Sequence, residues 1–214
     1  MTTRLVVFDL DGTLIDSRQD LADAANALIV ERGGSPLPVD AVTGMVGEGA
    51  ALLVRRALRA AGLDADLETA LPRFLELYDE RLLANTRAYP GTVDALDALA
   101  VRVTLAVLTN KPQRPTEAIL RGLNLHVYFA QVIGGDTNFG RKPDAAGLRH
   151  IMASAHASAD ETVLVGDSAI DLRTARAAGV AICLVKYGFG FPLAVPELSG
   201  DEHLVDAPSE LVGL

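Results

Sequence analysis

One strand signal opens this chain, and a long helical stretch separates it from all the others. Leu5-Val6-Val7-Phe8 is β-branched and aromatic, with no turn residue before the acids that follow. From Ser17 to about Arg32 the period changes: Leu21, Ala24, Ala25, Leu28 and Ile29 recur at three- and four-residue steps. Gly33-Gly34-Ser35-Pro36 stops that helix. Further helical stretches run over Val39 to Val46, Ala50 to Ala61 and Leu67 to Ala84, with Pro72 near the start of the last. Residues 16 to about 86 carry no strand signal. An isolated strand has no hydrogen-bond partners, so Leu5–Phe8 must pair with strands that come much later.

Those strands begin beyond Tyr89-Pro90-Gly91. Helix Val93–Ala100 precedes strand Val103–Leu108, helix Pro115–Gly122 and strand Gln131–Ile133. Helix Asp144–His156, strand Thr162–Val165, helix Ala169–Ala178 and strand Ala181–Val185 follow. A short strand at Leu204-Val205 and a C-terminal helix complete the pattern. Such alternation implies parallel βαβ units in an α/β, doubly wound, Rossmann-like sheet. Residues 1–15 and 87–214 are therefore expected to form the core. Residues 16–86 are expected to form an all-helical insertion that can sit over the sheet edge as a lid.

Half of the 214 residues are apolar, enough for a real core, and the formal net charge is −9. That charge argues against a nucleic-acid or anionic-membrane partner, and it means an anionic substrate needs local cations. The single cysteine, Cys183, lies in the apolar run Ala181–Val185 and reads as a buried thiol. The four histidines show no metal-ligand spacing. The chain enters a strand almost at once, without a signal segment, and no apolar run is long enough to span a bilayer. A cytoplasmic protein, monomeric or homodimeric, is expected.

The first strand ends in Asp9-Leu10-Asp11-Gly12-Thr13. Two acids two residues apart leave an extended backbone on the same side, and Gly12 lets the chain turn. The C-terminal edge of a parallel strand is where open α/β sheets place their ligand crevice. Like charges so close together call for a cation, although DG is also a common turn dipeptide. Other strands end in polar residues at the same edge: Thr109-Asn110-Lys111 and Gly166-Asp167-Ser168, with Asp171 one turn into the next helix. Gly140-Arg141-Lys142-Pro143-Asp144 opens a further helix nearby. Each alone could be a helix cap or an exposed lysine. Capping does not require acid, hydroxyl and amine together at one edge.

Phosphoryl transfer through a carboxylate uses such a set. A phosphomonoester dianion repels an attacking carboxylate, and Mg2+, an oxygen-seeking octahedral ion, neutralises both. Asp9, Asp167 and the carbonyl of Asp11 would hold it. Asp9 is the natural nucleophile, and Asp11 the acid that protonates the leaving oxygen and then the base that activates water. Thr109 and the Asn110 N–H suit phosphoryl oxygens, Lys142 supplies fixed positive charge, and Asp171 orients Lys142 or a metal-bound water.

Four segments, Asp9-Leu10-Asp11-Gly12-Thr13-Leu14, Leu108-Thr109-Asn110, Lys142-Pro143 and Gly166-Asp167-Ser168-Ala169-Ile170-Asp171, resemble in order the four motifs of the haloacid dehalogenase superfamily. The helical insert resembles that superfamily's helical-bundle cap. The resemblance implies a nucleophilic Asp9, an acid/base Asp11 and magnesium at Asp9, Asp11 and Asp167. Asp16-Ser17, Asp20-Leu21-Ala22 with Asn26, Val46-Gly47-Glu48-Gly49-Ala50 and Lys186-Tyr187-Gly188-Phe189-Gly190 look like the phosphoglycolate phosphatase branch. Asp11 speaks against dehalogenation, which has no leaving group to protonate. A phosphonate-cleaving relative needs a cap lysine, and the three lysines (Lys111, Lys142, Lys186) lie outside the insert. A sugar-phosphate phosphatase or phosphomutase, with Arg55 and Arg56 holding a second phosphate, stays open, as does a non-catalytic phosphate-binding scaffold.

The loop Gly47-Glu48-Gly49 leads into a helix start, whose free N–H groups favour an anion. It is expected either to close over a small phosphorylated metabolite such as 2-phosphoglycolate or to be a plain flexible turn. Arg18, Arg55 and Arg56 are candidate cationic helpers. Glu48 has the wrong charge for an anion and must point away or serve closure.

Overall fold

The computed structural model describes residues 2–214. Eight strands are β1 (Leu5–Phe8), β2 (Ile15–Asp16), β3 (Arg87–Ala88), β4 (Thr104–Leu108), β5 (Gln131–Ile133), β6 (Thr162–Gly166), β7 (Ala181–Val185) and β8 (His203–Val205). Six of them form one parallel sheet in the order β5–β4–β1–β6–β7–β8. The chain fills one side of β1 with β4 and β5, then crosses to the other side with β6, β7 and β8. The reversal of direction at β1 opens a crevice at the carboxyl ends of β4, β1 and β6. Register brings the polar residues there: Phe8 pairs with Val107 and Val165, so Asp9 emerges beside Leu108 and Gly166.

The sheet is covered on both faces, as its apolar strands require. The α-helices are α1 (Arg18–Glu31), α2 (Val39–Thr43), α3 (Ala50–Ala60), α4 (Leu67–Asp79), α5 (Thr92–Ala100), α6 (Gln113–Gly122), α7 (Ala146–Ser154), α8 (Ala169–Ala178) and α9 (Phe191–Ala194). Val6 and Phe8 point to one face, where they pack with Leu96 and Leu99 of α5 and Ile119 and Leu120 of α6. Leu5 and Val7 point to the other, against Leu148 and Ile151 of α7 and Ala175 of α8. This alternation is the two-residue period of a strand made visible.

A third apolar cluster is built from α1, α3 and α4 with Val42 of α2, around Leu28, Ile29, Leu58, Phe74 and Tyr78. Phe74 and Tyr78, one helical turn apart, stack at 6.0 Å. Residues 16–86 are not free of strand, contrary to expectation. Ile15–Asp16 pairs antiparallel with Arg87–Ala88, making a two-stranded ribbon where the chain leaves the sheet region and returns. Asp20, fully buried, ties the same junction: it accepts from the backbone N–H and side-chain amide of Asn85 and from the N–H and hydroxyl of Thr86, at 2.7–3.0 Å. Burial works against its charge, but these donors outweigh it and hold the carboxyl below its ordinary range. Asn26 closes a nearby loop through the Leu37 N–H and C=O, at 2.8 and 2.9 Å.

Other expectations shift at their ends. The second helix stops at Thr43 before Gly44, and α4 stops at Asp79. Asp144 lies ahead of α7 and accepts from the Ala146 N–H, while His156 has left the helix at φ 51°. The C-terminal helix is 3-10 over Pro208–Gly213, a short piece with Pro at its first turn.

Candidate active site

Asp9 follows β1 directly, and its N–H donates to Val165 O, so the ladder fixes it at the sheet edge. Asp167 follows β6, and Asp171 is the third residue of α8. Ser168 caps that helix: its N–H and hydroxyl donate to Asp171 Oδ2 at 3.1 and 2.6 Å, and Asp171 N–H returns a bond to the hydroxyl. One oxygen from each of Asp9, Asp167 and Asp171 lies within 4.8 Å of the others, and all three residues are buried. Lys142 Nζ stands 2.8 Å from Asp9 Oδ1, at an angle unsuited to a hydrogen bond, and donates to Asp171 Oδ1 at 2.6 Å.

Glycine makes room for this cluster. A Cβ on Gly188 would come within 2.2 Å of the Asp167 side chain, and Gly12 adopts φ +85° where a Cβ would strike Asp167 Oδ2 at 2.0 Å. The N–H of Gly190 donates to that same oxygen at 2.7 Å. The segment Lys186-Tyr187-Gly188-Phe189-Gly190 thus seats Asp167.

Two of the three buried carboxylates, Asp9 and Asp171, pair with the one ammonium, and Asp167 has no cation beside it among the described residues, which leaves negative charge uncompensated. Burial pushes the Asp9 carboxyl up to about 6, with Lys142 opposing and Asp171 reinforcing. Burial, then the charges of Asp171 and Asp9, push Asp167 well above the usual carboxylate range. Burial also works against the charge of Lys142, but Asp171 and Asp9 outweigh it and raise its pKa. The oxygen donors, the surplus charge and the buried Asp9 Oδ1 without a hydrogen bond fit a hard divalent cation.

Asp11 lines the same crevice as Asp9 but faces other partners. Lys111 Nζ donates to its Oδ1 and Oδ2 at 3.0 and 2.9 Å, and the Ser17 hydroxyl donates to Oδ1 at 2.5 Å. Its carboxylate is not one of the three clustered acids. Leu10 between the two acids is fully buried on the core side. Thr109 also lines the crevice, with its hydroxyl accepting from the Lys111 N–H at 3.2 Å. Asn110 Nδ2 donates to Gly47 O at 2.9 Å and to Lys142 O at 3.0 Å, so the helical segment is bonded to the sheet edge.

Gly47 and Gly49 line the crevice together with Leu53 of α3 and Phe74, Leu75 and Tyr78 of α4. Glu48 between them instead pairs with Arg56 at 2.5 Å, outside the lining. The three arginines expected to help an anion do not line it. Arg18 pairs with Asp16 at 2.7 Å and borders a different cavity, Arg56 is held by Glu48, and Arg55 is exposed. The cation that does line it is Lys111, which carried no role in the sequence reading. Its signals were its place after Thr109-Asn110 and the rarity of lysine in the chain.

The sheet order, the acid cluster at its switch point and the helical segment lining the same crevice are the frame of a hydrolase. The family model of haloacid dehalogenase-like hydrolases matches residues 6–185, and the chain belongs to that family. It is 46% identical over 194 residues to the phosphoglycolate phosphatase of Rhodospirillum rubrum, covering 87% of this chain and 80% of that protein. Phosphoglycolate phosphatase 1 of Pseudomonas aeruginosa is 41% identical over 199 residues, covering 89% of this chain and 73% of that one. Among solved structures, a predicted phosphoglycolate phosphatase from Haemophilus somnus superposes with a TM-score of 0.92 at 27% identity, over 100% of this chain and 98% of that one. No helix among the described residues is long and apolar enough to cross a membrane.

Proposed function

We propose that this chain is a magnesium-dependent phosphomonoester hydrolase that works through a phosphoryl group carried on Asp9, with 2-phosphoglycolate as its substrate. The observation that carries the reading is the joining of Asp9, Asp167 and Asp171 with Lys142 at the switch point of the sheet. The names of the relatives support the substrate.

Asp9 and Asp167, with the carbonyl of Asp11, would hold Mg2+, which supplies charge neutralisation between a phosphate dianion and a carboxylate. A carboxylate oxygen of Asp9 attacks phosphorus, and the bond from phosphorus to the ester oxygen breaks. Asp11 gives that oxygen its proton, so an alcohol leaves. Water then attacks the phosphorus of the aspartyl phosphate, Asp11 takes the water's proton, and inorganic phosphate and free Asp9 result. Thr109 and the N–H of Asn110 hold phosphoryl oxygens. Lys142 keeps positive charge beside Asp9 where charge accumulates. Asp171 is the positioning residue for Lys142.

Residues 16–86 act as a cap over the core of residues 1–15 and 87–214. Asn110 latches the cap loop at Gly47, and Gly47 and Gly49 form the roof. A phosphomutase needs a cation for a second phosphate in this cap, and Arg55 and Arg56 are turned elsewhere.

The test is inorganic phosphate release from a panel of phosphoesters, with Mg2+ and with chelator. Release that depends on Mg2+ and favours 2-phosphoglycolate is expected. No release from any ester favours a scaffold, and preference for bisphosphorylated hexoses favours a mutase.

A further inference from the structure

Among the side chains lining the crevice, Lys111 is the one cation. It lies in the turn that follows β4, is 6% exposed, and is held between the Asp11 carboxylate and the face of the Tyr78 ring, 4.7 Å from the ring centre. Tyr78 belongs to α4, so this end of the crevice is shared by sheet edge and cap. Tyr78 Oη is buried and has no hydrogen-bond partner among the described residues. Lys142, the other buried lysine, is taken up by Asp9 and Asp171 on the phosphoryl side.

We infer that Lys111 is the recognition group for a second anion of the substrate, on the leaving-group side, so that this enzyme selects phosphomonoesters bearing a carboxylate close to the ester oxygen. The inference rests on the phosphatase reading and deepens it. Lys111 sits on Asp11, the acid assigned to the ester oxygen, so an anion bound at Nζ lies next to the departing group. Exchange physics sets the selectivity. A buried ammonium has already lost its water, and giving up one carboxylate costs little only if another replaces it. A substrate carboxylate takes the place of Asp11 on Lys111, with Tyr78 Oη as a second donor. Asp11 is then turned toward the ester oxygen. A neutral hydroxymethyl group cannot make that exchange, and Lys111 stays locked on Asp11.

The experiment compares 2-phosphoglycolate with 2-hydroxyethyl phosphate, which has the same length without the carboxylate. The wild-type enzyme is expected to favour 2-phosphoglycolate by about 100-fold in kcat/KM, the range for a buried charge pair. K111M is expected to bring that ratio near one, chiefly by losing 2-phosphoglycolate turnover, and K111R to keep most of it. Equilibrium binding of both esters to D9N and to D9N/K111M should show the same collapse without turnover. A K111M enzyme that slows on both esters equally has lost a structural lysine only, which overturns the inference. Equal wild-type kcat/KM for the two esters overturns it as well, whether or not K111M folds, and with it the preference for 2-phosphoglycolate, while phosphomonoester hydrolysis through Asp9 stands. A wild-type enzyme that hydrolyses neither ester overturns both.

Discussion

The Lys142 ammonium donates to Asp171 Oδ1 at 2.6 Å, with the side chain of Lys142 2% exposed and that of Asp171 fully buried. One residue comes from the loop before α7 and the other from the first turn of α8, so two separate elements must be in place before the positive charge reaches Asp9. A buried pair of this kind is costly to break from one side, because the remaining charge loses its partner.

Removing the charge from Lys142 leaves Asp9 and its neighbours without their fixed cation. Lys142→Met is expected to lower kcat by about 100-fold or more, the scale of a lost electrostatic group in an active site. Asp171→Asn keeps the lysine and loosens its aim, with an expected fall of about 10-fold. Steady-state kinetics check both, with circular dichroism confirming the fold.

Asp20 governs stability rather than chemistry. Its carboxyl takes five hydrogen bonds from Asn85 and Thr86 at the base of the helical segment. Asp20→Asn replaces one acceptor oxygen by a donor among donors and is expected to cost about 2–4 kcal/mol at pH 7. The folded carboxyl titrates below the ordinary value of 3.8. Its contribution is therefore complete above that value and fades as pH falls through the folded pKa. Urea unfolding of both proteins across pH 2–7 should show the difference shrinking only at the acid end.

Asn110 joins Gly47 O to Lys142 O through one amide. Asn110→Ala preserves the backbone N–H assigned to phosphate and removes the latch. KM is expected to rise about 10-fold with a smaller change in kcat, matching one to two hydrogen bonds. Faster amide exchange around Gly47–Gly49 than in the wild type should accompany it.

Cys183 is fully buried, and burial, with the charge of Glu210 adding, pushes its thiol up to about 12. At pH 8 the thiolate fraction is then roughly one in ten thousand. Iodoacetamide is expected to label the native protein negligibly at that pH, and labelling should instead track unfolding in urea. Fast labelling of the native protein would contradict its place in the core.

The alternation of periods was enough to read the sheet and its insertion. Leu5–Phe8, Gln131–Ile133 and Ala181–Val185 hold the ranges that their β-branched runs indicate. The ribbon of Ile15–Asp16 with Arg87–Ala88 was not legible, because two residues carry no period and its partners lie far apart in the chain. Asp9, Asp167 and Asp171 could be read as a set because each follows a strand or opens a helix at one edge, and Lys142 because its basic run precedes a helical period, though it lies in the loop before α7. Lys111 could not, since its meaning depends on Asp11 and Tyr78, which only folding brings to it. Arg18, Arg55 and Arg56 show the reverse: the right charge in the right segment, but spent on local acids or facing solvent.

Asp9 is the proposed carrier of the phosphoryl group. The most direct test is rapid acid quench of the enzyme with 2-phosphoglycolate and Mg2+, followed by mass spectrometry of the peptide containing Asp9. A phosphoryl group is expected on Asp9 in the wild type, absent after chelation and in Asp9→Asn, with phosphate release lost in step. Asp9→Asn releasing phosphate at the wild-type rate, with the peptide unmodified throughout, would contradict it.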